Sequence, residues 1–434
     1  MFKTIIYTAA SALAVLSSSV PAFAQENSLG SGDTAWILTA TALVLFMTLP
    51  GLALFYAGLV RAQNVVSVLM NCFAIACVMS IVWLIAGYSI AFGDGGSGNL
   101  VWGGLGKSFL SGVSFDTLSG SIPESLFFTF QMTFAIITPA LIVGAFVERI
   151  QFSFVIIFSV FWVLLVYAPV VHWVWGGGFL ADKGVIDFAG GIVVHVTAGV
   201  SALVLAIMLG SRKGFPNDLQ PPHNPGMTMI GAAMLWVGWF GFNGGSALAA
   251  DGAAGMAMTV THISAAAGAI AWSSVEIILY RKASLIGAVT GMVAGLATIT
   301  PASGSVGPVG ALILGLAGGV LCFTVTQMVK KKFNIDDSLD VFAVHGVGGA
   351  LGTLLAAIFV TTSLGGVGLA EGQTVASQLG VQAYGVLAVV IWAALITWIL
   401  VKVLSTFVRF RVSKDDEEQG LDLAMHGERG YHNL

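Results

Sequence analysis

Charge is what this chain has least of. Only 9% of its 434 residues are Asp, Glu, Lys or Arg, the formal net charge is -4, and 57% of residues are hydrophobic. So little charge cannot coat a soluble domain of this size, and a nucleic-acid-binding surface, which needs a field of basic residues, is excluded with it. Cysteine is nearly as scarce. Cys72, Cys77 and Cys322 all fall inside apolar runs, so no disulfide framework and no thiolate metal site is expected, and they read as packing residues. No soluble domain fits anywhere along the chain.

Apolar runs and 55 glycines remain, and they describe an all-α, polytopic membrane protein. Runs long enough to span occur at about 34–60, 65–92, 125–148, 152–174, 188–210, 226–250, 256–279, 284–301, 306–329, 340–363 and 381–408, which predicts eleven helices. The first two dozen residues have the form of a secretory signal peptide (residues 1–24): Lys3 in a short basic start, an apolar stretch from Thr4 to Leu16, and Ala22-Phe23-Ala24 before Gln25. The other reading, an uncleaved first helix, has to work with a run shorter than the roughly 20 residues a span needs. The membrane domain is then 25–408, followed by a charged tail, 409–434, that either dangles or docks.

Basic residues set the orientation. Of the 17 Lys and Arg, Lys3 is in the leader. Only Lys107 and Lys183 fall in loops on the side of the mature N-terminus; of the other fourteen, thirteen lie in the opposite loops or the tail and Lys402 lies near the tail end of the eleventh run. The positive-inside rule therefore predicts N-out, C-in. The connection 93–124, with "FGDGGSGNLVWGG", is expected to be an ordered lid or a flexible link.

A faint internal duplication is visible. "VVHVTAG" (193–199) in the fifth span and "FAVHGVGG" (342–349) in the tenth each centre on one histidine, and an acid precedes each, Asp187 or Asp340. Five spans separate them, so the second copy is inserted upside down, and inverted five-helix repeats place a substrate path at their interface. His195 shares a helix face with Gly191 and Gly199, and His345 with Gly349. Small residues beside an imidazole let helices close around it. Ionisable groups inside a membrane are functional by default, although a histidine bonded across helices is the plain structural alternative. A metal site would need further ligands, and no local cluster supplies them.

Aromatic residues form a second constellation. "FQMTF" (130–134) sets Phe130 and Phe134 about a turn apart, "HWVWGGG" (172–178) carries Trp173 and Trp175, and "GWFGFNGGS" (238–246) adds Trp239, Phe242 and Ser246. Trp173 and Trp175 equally fit an interfacial belt. Aromatic faces attract a small cation by about 0.5–2 kcal/mol, whereas a charge at the bilayer centre costs at least about 2.5–3.5 kcal/mol. A ring site can gather a cation but cannot conduct it alone. A cation able to shed a proton, such as ammonium, escapes that penalty.

These residues resemble the ammonium transporter (Amt/Mep/Rh) family. The motifs that carry the resemblance are "GLALFYAGLVRAQNVVSVLM" (51–70), "ALIVGAFVERIQF" (140–152), "VWGGGFL" through "DFAGGIVVH" (174–195), "GWFGFNGGS" (238–246), "SLDVFAVHGVGG" (338–349) and "GLDLAMHGERGY" (420–431). The resemblance covers nearly all of the mature chain. It implies a homotrimer in the cytoplasmic (inner) membrane, each subunit with its own pore between inverted halves and the eleventh helix outside. It implies that Phe134, Trp175 and Ser246 recruit ammonium, that Phe134 and Phe242 gate the path, and that His195 and His345 line it, with Phe130, Trp239 and Thr300 beside them. Asp187 matches an acid that supports the recruitment site, and a helix N-cap role is the equal alternative. No cofactor and no enzymatic activity are implied. A PII-type nitrogen-signalling protein is the expected partner at the inner face. Gly430 replaces the alanine common before the tyrosine of the tail motif. Transport leaves two routes for the shed proton, back outside or along the histidines. A sensor would be favoured by a fused output domain, which this sequence does not display, and a channel for neutral solutes would have no use for a cation vestibule.

Overall fold

The computed structural model describes residues 28–431, so the leader expected at 1–24 lies outside the described residues. Among the described residues eleven helices are long and apolar enough to span: α1 Ser31–Leu59, α2 Ala62–Phe92, α3 Glu124–Phe146, α4 Phe152–Asp182, α5 Gly191–Leu209, α6 Pro225–Gly244, α7 Gly252–Tyr280, α8 Leu285–Ala302, α9 Pro308–Lys332, α10 Phe342–Phe359 and α11 Val375–Leu404. In hydrocarbon a backbone must satisfy its own polar groups, which leaves the helix as the element these sequences can adopt. Pro50, which lacks an N–H, breaks α1 at Leu49, whose φ and ψ are -124° and 100°.

Burial separates the spans into inner and outer sets. α3, α5 and α8 are buried over 89%, 78% and 83% of their apolar windows, against 33% for α7 and 28% for α11. The inner helices are apolar all round, as a core helix must be. The outer ones leave Ile277, Ile278, Leu387 and Ile391 exposed, as a lipid-facing surface requires.

Contacts of their termini show that α5 and α10 run in opposite directions. α5 begins beside Trp175 and ends at Gly210, whose carbonyl accepts Nε of Arg149. α10 begins next to Ser338, which accepts Nη1 of the same Arg149. The two helices touch where Gly199 meets Gly346, and a Cβ on Gly199 would overlap the Gly346 backbone. Only glycine permits that approach.

Between α2 and α3 the chain is an ordered connection with a two-stranded hairpin, β1 Leu118–Ser119 and β2 Ile122–Pro123. It is fastened to the end of α4: Phe179 N donates to Leu100 O at 3.1 Å and Trp173 Nε1 to Val101 O at 2.8 Å. The tail docks rather than dangles. Its helices α12 (Lys414–Gln419) and α13 (Leu421–His426) lie against the start of α2, where Leu421 N donates to Asn64 Oδ1 and Ser67 N to Asp422 Oδ1, at 2.8 and 2.7 Å. A Cβ at Gly430 would meet Val65 and Val66 at 3.5 Å or more, so an alanine there would fit.

Candidate functional site

The site is a vestibule, a pair of rings and a slot, in that order along the interface of the two halves. The vestibule, about 220 Å³, is lined by Phe92, Phe127, Gln131, Phe134, Trp175, Phe188, Ser246 and Leu248. Trp175 stands edge-on to Phe134, with centroids 6.1 Å apart and planes at 89°. Its indole Nε1 donates to the Asp187 carbonyl at 2.7 Å, so this ring is fixed from behind and turned inward, away from an interfacial belt. Trp173 is buried and packs on Trp392 and Phe179.

Asp187 caps α5. One carboxylate oxygen accepts Gly190 N and Gly191 N at 3.0 and 2.5 Å, and the other accepts Ile192 N and Val193 N at 2.9 and 3.0 Å. These are the amides that a helix start leaves unpaired. Burial pushes the carboxyl up to about 6, against the four amide donors, so the group is largely ionised at neutral pH. The main-chain carbonyl of the same residue anchors Trp175, so cap and ring support are one residue's work.

Ser246 sits partly buried on the vestibule wall. Its hydroxyl donates to Phe242 O at 2.8 Å, which commits the proton and leaves the oxygen lone pairs as acceptors. Beneath it Phe134 and Phe242 stack, with centroids 4.2 Å apart and planes 29° apart, at 1% and 0% exposure. They separate the vestibule from the slot. Phe130 packs edge-on behind Phe134 at 5.1 Å.

The slot is apolar and has room for about one water-sized sphere, about 10 Å³. Its walls include Leu52, Ile137, Leu141, Val194, Leu235 and Val293 together with Trp239, His195 and His345. Nδ1 of His345 lies 3.3 Å from Nδ1 of His195. Between neutral imidazoles one Nδ1 must donate and the other accept, so one Nε2 is left an acceptor and the other a donor. Nε2 of His195 is buried with no hydrogen-bond partner. His195 also stacks on Trp239 at 5.5 Å and Phe242 at 6.1 Å. Thr300 holds Trp239 in place, accepting its Nε1 at 2.9 Å. Phe130 and Thr300 thus lie one layer behind the surfaces that line the two cavities. Among the described residues no group of three or more His, Cys, Asp or Glu is placed to hold a metal.

The duplication is real in geometry, with one correction. The counterpart of Asp187 is Asp337, not Asp340. Asp337 is buried, and its Oδ2 accepts Phe342 N at the start of α10, at 2.8 Å. Asp340 instead pairs with Lys330 at 2.7 Å. The spacing carried that signal, since 195 − 187 and 345 − 337 both equal 8.

At the opposite end sits a charge network that sequence reading did not isolate. Arg149, fully buried, donates to Ala145 O, Val147 O, Gly210 O, Asp336 O and Ser338 Oγ, joining the ends of α3 and α5 to the start of α10. Arg212 grips Asp336 with two bonds of 2.9 Å. Burial opposes ionisation of Asp336, but Arg149 and Arg212 outweigh it and hold the carboxyl below its usual range.

Two antiparallel helical halves, buried against each other around a narrow path with an aromatic mouth, define a membrane-spanning conduit or transporter. A sequence model described as the Ammonium Transporter Family matches residues 35–431. A Bacillus subtilis protein named "Ammonium transporter" is 46% identical over 405 residues, 92% of this chain and 98% of the relative. An Aquifex aeolicus protein of the same name is 44% identical over 414 residues, 94% and 96% of the two chains. Among solved structures, one titled "Sensor Amt Protein" superposes with a TM-score of 0.85 at 31% identity, over 91% of this chain and 98% of that one. Candida albicans Mep2 gives 0.81 at 32% identity, over 89% and 88%. The chain belongs to the ammonium transporter family.

Proposed function

We propose that the protein carries ammonium across the membrane by holding the cation in the vestibule, where it gives its proton to solvent water, and passing ammonia through the slot. The observation that carries this reading is the change of character across one ring stack. On one side are ring faces and edges, the Ser246 oxygen and the ionised Asp187 behind them; on the other is an apolar slot whose titratable side chains are His195 and His345. The first setting favours a cation. The second penalises one, yet offers a neutral amine one donor and one acceptor nitrogen.

In this reading Phe134, Trp175 and Ser246 recruit, Phe134 and Phe242 gate, His195 and His345 guide with Trp239 lining the path beside them, and Asp187 supports the recruitment site. The vestibule faces outward and the tail inward. Residues 1–24 are removed as a leader, 25–408 form the membrane domain, and 409–434 form an inner-face tail that a PII-type protein meets. The unit is a homotrimer in the cytoplasmic membrane, and no cofactor takes part.

Uptake of radiolabelled methylammonium, with its competition by ammonium, tests the reading. Trp175→Leu and Phe134→Ala are each expected to weaken both. If neither variant changed uptake or competition, a neutral-solute channel would replace this reading.

A further inference from the structure

Gln131 sits on α3 within a turn of Phe134, in the wall shared by Phe134, Trp175 and Ser246. It is only 8% exposed, and its Oε1 is enclosed without a hydrogen-bond partner among the described residues. Buried carboxamides are expensive to leave unpaired, and such a group calls for an explanation. A packing position here would be better filled by leucine, which has similar bulk and nothing to satisfy.

The vestibule has one other side-chain oxygen of this kind, that of Ser246, and its hydroxyl proton is already given to Phe242. An ammonium ion has four N–H donors. Ring faces can take some of them and Ser246 can take one, and the remaining wall of the cavity is apolar apart from Gln131. A half-turn about the last torsion of Gln131 exchanges its oxygen and nitrogen, so the oxygen can be offered to the cavity with no movement of the backbone.

We infer that Gln131 is a specificity-determining residue of this vestibule, its carboxamide oxygen accepting a second N–H from the bound ammonium opposite Ser246. The inference rests on the reading of the vestibule as the ammonium site. Two hydrogen-bond acceptors among aromatic rings suit a cation that carries N–H groups. They suit a bare alkali cation poorly, because rings and two oxygens do not replace its hydration shell.

The test uses the purified full-length protein in liposomes, reading the ammonium concentration that halves methylammonium uptake, together with the melting temperature. Gln131→Leu should raise that concentration about tenfold, the scale of one hydrogen bond to a charged group, while the melting temperature holds or rises. Gln131→Glu, which keeps an acceptor, should bring the concentration back to the wild-type value or below. If Gln131→Leu changes nothing while Ser246→Ala raises the concentration, the inference is overturned and the vestibule reading stands. A fall in melting temperature in both Gln131 variants without a shift in competition makes the amide a packing residue and overturns it too. If Gln131→Leu, Ser246→Ala and Trp175→Leu are all without effect, the vestibule is no cation site and both fall.

Discussion

Nδ1 of His195 and Nδ1 of His345 share one hydrogen bond of 3.3 Å, although they stand on helices that run in opposite directions. Whichever imidazole donates fixes the tautomer of the other, so the pair acts as one unit. His195→Ala and His345→Ala should each lower methylammonium uptake by about tenfold or more, and the double variant should lose little beyond either. A coupling of about 1 kcal/mol or more in that cycle is expected for groups in direct contact. Strictly additive losses would show that the two rings work independently.

Trp175 depends on Asp187 for its position. Trp175→Leu should raise the half-saturating ammonium concentration by about 2- to 30-fold, the range of a lost cation–π contact. Trp175→Phe, which keeps a ring but drops the bond to the Asp187 carbonyl, should fall between. Asp187→Ala strips an acceptor from four amides and should destabilise the protein by about 1–3 kcal/mol, read as a lowered melting temperature in detergent. A melting temperature equal to that of the wild type would remove Asp187 as the cap of α5.

Phe242 lines the slot and stacks on Phe134 of the vestibule wall. Phe242→Ala should join the two cavities and admit water, seen as increased osmotic water permeability of proteoliposomes in stopped-flow light scattering. Unchanged permeability would mean that the stacked pair is not the barrier.

The Arg149–Asp336–Arg212 cluster gives a pH signature with a definite sign. The Asp336 carboxyl is held below its ordinary value in the folded state, so its contribution is present above about pH 4, the unfolded value, and is lost as the pH falls through the lower folded value. The melting-temperature gap between wild type and Asp336→Asn should be wide at pH 7 and should close below about pH 4. Arg149→Met leaves Asp336 its bonds to Arg212 but takes the donor from four buried carbonyls and Ser338 Oγ, and should cost about 1–3 kcal/mol.

All eleven spans were legible in the sequence because a bilayer imposes length and apolarity on each one locally. His195 and His345 were legible because an imidazole in an apolar run stands out, and the aromatic mouth because its rings cluster in short motifs. Gln131 was not. A single amide in "FQMTF" gives no sign that its oxygen will be enclosed without a partner, which only the packing of the vestibule wall decides. Arg149 was counted as one positive loop residue, since its five acceptors come from segments up to 189 positions away. Asp340 drew attention by closeness to the second histidine, while the equal spacing of eight pointed to Asp337.

The Gly199–Gly346 crossing bears on how the protein can work at all. Where two helices meet backbone to backbone, no side chain sets the gap between them, so a methyl added at Gly199 would have to force the halves apart at the level of the histidines. The spacing of His195 and His345 is thus set by contact of main chain with main chain, which no change of rotamer can alter.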